Sequence, residues 1–185
     1  AKIINAGDGA HEHPTQALLD CFSLQEKFGE LKGLNVAIIG DILHSRVARS
    51  TTEIFLRLGA EVAWLAPGSL LPGHRPKGVA CFTDYDSAMR WNPCAVYLLR
   101  VQMERQDVQY FPSLREYHRV FGVTEERLKS ISAAGIHIMH PGPVNRGVEL
   151  CDAVMDYPLS LINQQVENGI AVRMSVLYSL KPGAE

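Results

Sequence analysis

The stretch LNVAIIGDILHSRVARSTTEIFLRLGAEVAWL, residues 34–65, decides the fold. It opens on an apolar run at 34–39, short and rich in β-branched residues, as expected of a parallel strand buried on both faces. Gly40-Asp41 interrupts the run. Residues 45–58 then mix polar and apolar side chains as a surface helix does, Gly59 ends them, and 61–65 is apolar again. Strand, helix and strand in this order make a βαβ unit.

Outward from this unit the pattern repeats more weakly, with strands expected at 79–82, 95–99 and 136–139 and helices at 84–90 and 124–133. Residues 101–123 are charged, aromatic and amide-rich with Pro112 among them, too long and polar for an ordinary turn, and read as a functional lid loop. Upstream, residues 2–5 read as a strand end and 6–10 as a Gly-rich loop. Pro14 opens a helix to Phe28 with Leu18, Leu19, Phe22 and Phe28 near helical spacing. Downstream, Ile162, Val166, Ile170, Met174 and Leu177 share one face of a helix expected over 159–180. The fold class is α/β: a Rossmann-like parallel sheet covered by helices on both faces.

With 185 residues, 46% of them hydrophobic, the chain can bury a substantial core. Its 18 basic and 20 acidic residues nearly cancel, which points away from nucleic acid and membrane surfaces and toward a small polar substrate. Cys21, Cys81, Cys94 and Cys151 are scattered without a Cys-x-x-Cys pair or zinc-type His spacing, so they read as reduced packing residues of a cytoplasmic protein. No apolar run approaches the roughly 20 residues of a membrane span.

Parallel sheets bind ligands at the carboxyl ends of their strands, and four polar clusters fall at such places or at helix starts. His13-Pro14-Thr15-Gln16 opens a helix, where an imidazole, an amide and unpaired backbone N–H groups can meet a polarised carbonyl, although a capped helix with an exposed His fits those four residues equally well. His11 and His13 lack a third ligand for a metal. Gly40-Asp41-Ile42-Leu43-His44-Ser45-Arg46 follows the best strand, but the remaining glycines of a dinucleotide fingerprint are missing, which excludes an NAD-dependent dehydrogenase. Arg46 is suited instead to fork a carboxylate, with a surface ion pair as the plainer alternative. Arg100 and Gln102 would share one side of an extended strand end, while Glu104-Arg105 can be a solvated charge pair. In His140-Pro141-Gly142-Pro143 two prolines leave carbonyl oxygens free to accept from an amine or amide, and Gly142-Pro143 is a candidate cis peptide.

These runs, with Ala17-Leu18-Leu19-Asp20 after the first of them, resemble in their order the motifs of aspartate carbamoyltransferase catalytic chains across essentially the whole sequence. The Arg100-Val101-Gln102 run and the Pro-Gly-Pro turn separate it from ornithine carbamoyltransferases, which carry a His-Cys-Leu-Pro turn. The resemblance implies transfer of a carbamoyl group from carbamoyl phosphate to L-aspartate in pyrimidine synthesis, without a cofactor. It implies that His13 polarises the carbamoyl oxygen, Gln16 and the Pro141 carbonyl hold the amide, and the Gly142 carbonyl, beside Pro143, receives the amine. Arg46, Arg100 and Gln102 would bind aspartate.

The family's carbamoyl-phosphate domain carries a Ser-Thr-Arg-Thr loop, completed by a Ser and a Lys of a neighbouring subunit, and none of these is in the sequence. Arg49-Ser50-Thr51-Thr52 has similar letters but falls inside a helix. Residues 1–30 are therefore expected to be the end of that otherwise missing domain, 31–158 the aspartate-binding domain, and 159–185 a terminal helix that would pack back on the carbamoyl-phosphate domain. The chain alone is expected to be inactive. The family implies a homotrimer, with dihydroorotase or a regulatory chain as further partners. The alternative reading is an isolated, non-catalytic aspartate-binding or association domain.

Overall fold

The computed structural model describes residues 2–101 and 113–181. Five parallel strands, β1 (Asn35–Ile39), β2 (Glu61–Leu65), β3 (Val79–Phe82), β4 (Ala95–Leu98) and β5 (His137–Met139), lie in the order β3-β2-β1-β4-β5. All four pairings are parallel. The order reverses between β1 and β4, so connections leave these two neighbours in opposite directions and open a crevice at their carboxyl ends.

Helices α1 (Pro14–Phe28), α2 (Arg46–Arg57) and α6 (Ile162–Ser179) pack together, with α2 against β2 and α6 against β5. Right-handed crossovers put α3 (Tyr85–Arg90), α4 (Leu114–Phe121) and α5 (Glu125–Ala133) on the other face. There Arg127 of α5 lies 4.1 Å over the Tyr85 ring of α3. The strands are buried on both faces, as Val36 through Ile39, Val62 through Leu65 and Ala95 through Leu98 demonstrate.

Local chemistry sets the helix starts. Ser45, Asp84 and Thr124 each accept a backbone N–H from the residue three positions on, at 3.1, 2.8 and 3.3 Å. The expectation of a loop over 101–123 is corrected at Leu114–Phe121, which form α4, while residues 102–112 lie outside the described residues. Ser113 accepts from the Glu116 N–H at 3.1 Å, and Tyr117 and Phe121, one turn apart, are both buried. Residues 2–5 form no strand.

The terminal helices turn unexpected faces inward. On α1 the buried set includes Thr15, Gln16, Asp20 and Ser23, while Leu18 and Phe22 are exposed. On α6 the buried positions are Ile162, Gln165, Asn168 and Gly169, and Val166, Ile170, Met174 and Leu177 are all more than 60% exposed. The two helices meet through amides and carboxylates rather than through their apolar stripes. Among the described residues, no helix is long and apolar enough to cross a membrane.

Candidate functional site

Gly40 ends β1 at the reversal point, with φ at +131° and its N–H on the Leu65 carbonyl at 3.0 Å. A Cβ there would sit 2.9 Å from the Tyr117 hydroxyl oxygen and 3.0 Å from Leu99 Cβ, so only glycine lets the β1 and β4 ends approach. Asp41 turns the chain by accepting the His44 N–H at 3.1 Å. Arg46 then opens α2, and its guanidinium reaches back over Gly7 to donate to the Gly9 carbonyl at 3.3 Å.

The start of α1 lies against the start of α2. The His13 N–H donates to Ser50 Oγ at 2.9 Å, Ser50 Oγ donates to the Glu12 carboxylate, and Arg49 donates to the His11 carbonyl at 3.3 Å. Burial, then the positive charges of Arg46 and Arg173, hold the His13 imidazole below its ordinary range. His13 Nδ1 is buried with no partner among the described residues.

One turn on, Gln16 donates from Nε2 to Asp20 Oδ1 at 3.0 Å. Asp20 is fully buried and takes three further donors: Gln165 Nε2 of α6 at 2.8 Å, the Tyr97 hydroxyl of β4 at 2.8 Å and Thr51 Oγ1 of α2 at 3.3 Å. Burial pushes its carboxyl up to about 6, with the four hydrogen bonds only partly offsetting desolvation. Gln165 Oε1 accepts the His140 N–H at 3.0 Å. Asp20 thus links α1, α2, β4 and α6 to the turn after β5.

In that turn the Gly142 N–H donates to His140 Nδ1 at 2.9 Å, and Gly142-Pro143 is cis, as expected from the sequence. A bonded acceptor at Nδ1 leaves the His140 proton on Nε2, which lies 3.8 Å from Glu149 Oε2. Burial opposes ionisation of Glu149, yet the nearby His140 ring and hydrogen bonds from the Val101 N–H and Asn145 bring its carboxyl below the usual range. Glu149 Oε1 accepts the Val101 N–H at 2.7 Å, and Asn145 Nδ2 donates to the Val101 carbonyl at 3.2 Å. The backbone directly after Arg100 is therefore pinned to the turn after β5.

The four sequence clusters consequently stand at one end of the sheet. Hydrogen bonds run from α2 to His13 and from Gln16 through Asp20 and Gln165 to His140, and Glu149, whose Oε2 lies 3.8 Å from His140 Nε2, continues to Val101. Gln102 lies outside the described residues, as do Glu104 and Arg105. Arg49 through Thr52 lie within α2, as the sequence indicates. Among the described residues no cluster of three or more His, Cys, Asp or Glu side chains could hold a metal.

Sequence reasoning gave no role to Asp20, Gln165 or Glu149. Asp20 and Glu149 are each set among apolar neighbours, a local signal of a buried partner, whereas Gln165 lies in the polar run Asn163-Gln164-Gln165 and carries no such signal.

A family model described as the Asp/Orn-binding domain of aspartate/ornithine carbamoyltransferase matches residues 32–180. The chain belongs to this family. The aspartate carbamoyltransferase catalytic subunit of Akkermansia muciniphila is 62% identical over 182 residues, covering 98% of this chain and 59% of that protein. The subunit of the same name from Pelotomaculum thermopropionicum is 53% identical over 184 residues, covering 99% and 59%. The chain thus spans about three-fifths of the length of these carbamoyltransferase relatives.

Among solved structures, Trypanosoma cruzi aspartate transcarbamoylase in complex with N-(phosphonacetyl)-L-aspartic acid superposes with a TM-score of 0.74 at 26% identity, over 95% of this chain and 58% of that one. The same enzyme with carbamoyl phosphate and aspartate gives 0.78 at 25%, over 94% and 58%. The carbamoyltransferase fold expected from the sequence is the one observed.

Proposed function

We propose that this chain is the aspartate-binding portion of an aspartate carbamoyltransferase, which moves the carbamoyl group of carbamoyl phosphate onto the amine of L-aspartate in pyrimidine biosynthesis. The observation that supports this most is the set of hydrogen bonds, from Gln16 through Asp20 and Gln165 to His140 and from Glu149 to Val101, that gathers the polar clusters at the crevice between β1 and β4. Arg46 and Arg100 take the two carboxylates, with Gln102 beside them. A dicarboxylate calls for two cationic forks, and these stand after adjacent strands.

His13 donates from Nε2 to the carbamoyl oxygen, where negative charge grows as the amine attacks. Gln16 and the Pro141 carbonyl hold the carbamoyl amide. The Gly142 carbonyl, its turn closed by Pro143, accepts from the aspartate amine and aims its lone pair. As the tetrahedral centre collapses, the C–O bond to phosphate breaks and the departing phosphate accepts the amine proton. Catalysis rests on positioning and charge stabilisation, so no protein side chain needs to act as a base.

The exposed apolar faces of α1 and α6 suit a partner surface. We assign residues 1–30 to the end of a carbamoyl-phosphate domain, 31–158 to the aspartate-binding domain and 159–185 to a terminal helix that packs back on the carbamoyl-phosphate domain. A homotrimer, association with dihydroorotase or a regulatory chain, and a cytoplasmic location belong to the same proposal.

Arg46→Ala is expected to weaken L-aspartate binding to this chain about 30-fold, as loss of a charge-assisted pair of about 2 kcal/mol requires, measured by isothermal titration. Arg46→Lys is expected to recover little of it, since an ammonium cannot fork a carboxylate. Unchanged affinity in the folded alanine variant would remove Arg46 from the site.

A further inference from the structure

We infer that Asp20 is a positioning residue that fixes which end of the Gln16 amide meets the ligand, and so makes the site select an acyl group that carries N–H donors. This rests on Gln16 facing the carbamoyl group, as proposed above. An ionised carboxylate only accepts hydrogen bonds, so a glutamine against it must present its NH2 end, and Gln16 does so at 3.0 Å. The other end is then fixed too. Gln16 Oε1 takes no protein donor among the described residues, and Gln16 lies one turn from His13.

The same carboxylate oxygen orients a second amide. Gln165 also turns its NH2 end to Asp20 Oδ1, at 2.8 Å, which leaves Gln165 Oε1 to hold the His140 N–H at 3.0 Å. That bond anchors the residue ahead of Pro141, which as a proline has no N–H and contributes a carbonyl alone. Both groups assigned to the carbamoyl amide are therefore acceptors. A carbamoyl NH2 satisfies two acceptors, whereas an acetyl CH3 of nearly the same size satisfies neither and leaves both desolvated.

The two sides of the Asp20 carboxyl differ in a way that predicts which substitution is tolerated. Oδ1 faces two amides that are fixed as donors, and Oδ2 faces the Tyr97 and Thr51 hydroxyls, at 2.8 and 3.3 Å, which can rotate to accept instead. Asp20→Asn can keep its carbonyl on the glutamines and direct its NH2 at the hydroxyls. Asp20→Leu offers no acceptor, and the Gln16 amide is released to turn either way.

The test uses N-carbamoyl-L-aspartate and N-acetyl-L-aspartate, which share both carboxylates and differ in NH2 against CH3. Their affinities for this chain and for its Asp20 variants are measured by isothermal titration. The wild-type chain is expected to prefer the carbamoyl compound about tenfold or more. Asp20→Asn keeps the preference and Asp20→Leu loses most of it while both carboxylates still bind.

Equal affinities in the wild-type chain would overturn the inference and leave the carboxylate site standing, whereas binding of neither compound would overturn the site as well. A folded Asp20→Leu chain that kept the preference would remove Asp20 from the selection. Should that variant fail to fold, hydrogen exchange of the Gln16 side-chain NH2 in the wild-type chain decides. Protection is expected, and exchange at the rate of an exposed amide would contradict the Asp20 bond.

Discussion

Supplied with carbamoyl phosphate and L-aspartate, the 185-residue chain on its own is expected to form no carbamoyl aspartate above the uncatalysed background. A phosphate dianion needs several fixed donors, and the Ser-Thr-Arg-Thr run to which the family resemblance assigns that task is not in the sequence. The similar letters of Arg49 through Thr52 are already engaged. Ser50 accepts from the His13 N–H and donates to Glu12, Thr51 donates to Asp20, and Thr52 accepts from the Trp64 indole at 3.0 Å.

A single oxyanion donor is worth roughly 3 kcal/mol, so several missing at once remove many orders of magnitude in rate. A coupled phosphate-release assay on the purified chain measures this. Turnover at ordinary enzyme rates would mean that phosphate is gripped by groups not identified in this site.

Glu149→Gln is the substitution expected to harm stability most for its size. Oε1 accepts the Val101 N–H at 2.7 Å and Asn145 Nδ2 at 2.8 Å, while Oε2 accepts the Asn145 N–H at 2.8 Å. A glutamine must turn its NH2 toward one of two backbone N–H groups, and neither can reverse its role. One buried donor then loses a charged acceptor, at a cost of about 3 kcal/mol by chemical denaturation at pH 7.

The neighbouring comparison is internal to the fold. Asp20→Asn, whose partners on one side are rotatable hydroxyls, is expected to cost about 1 kcal/mol or less. Because the folded Glu149 carboxyl lies below its usual range, its contribution is present above the unfolded value and fades as pH falls through the folded one. The penalty of Glu149→Gln should shrink in acid accordingly. An equal penalty for the two substitutions, or a pH-independent one for Glu149→Gln, would contradict the asymmetry.

The βαβ unit was legible because its signals are local: an apolar run, a glycine stop and a second apolar run, with Ser45 in capping position. The same class of signal was present for α4, since Ser113 and Glu116 have capping spacing, but the polar composition around Pro112 obscured it. The faces of α1 and α6 were harder for a physical reason. Periodicity reports that a helix has an apolar side, and which side is buried depends on what it meets.

Here the inner surfaces are Asp20, Gln165 and Asn168, whose partners are distant in sequence. Gln165 and Asn168 each reach 145 positions back, to Asp20 and Ser23. Glu149 reaches 48 positions to Val101. No spacing rule covers such distances, so the residues that tie the polar clusters together went unseen, while the clusters themselves, at strand ends and helix starts, carry local signals.

The most direct test of the two-fork account is a titration of the isotope-labelled chain with L-aspartate, following the arginine side-chain N–H signals by NMR. The account predicts that the Arg46 and Arg100 signals move together along one saturable curve, with the Gly142 amide moving in step. A folded chain in which aspartate shifts only one of the two arginines, or neither, would contradict it.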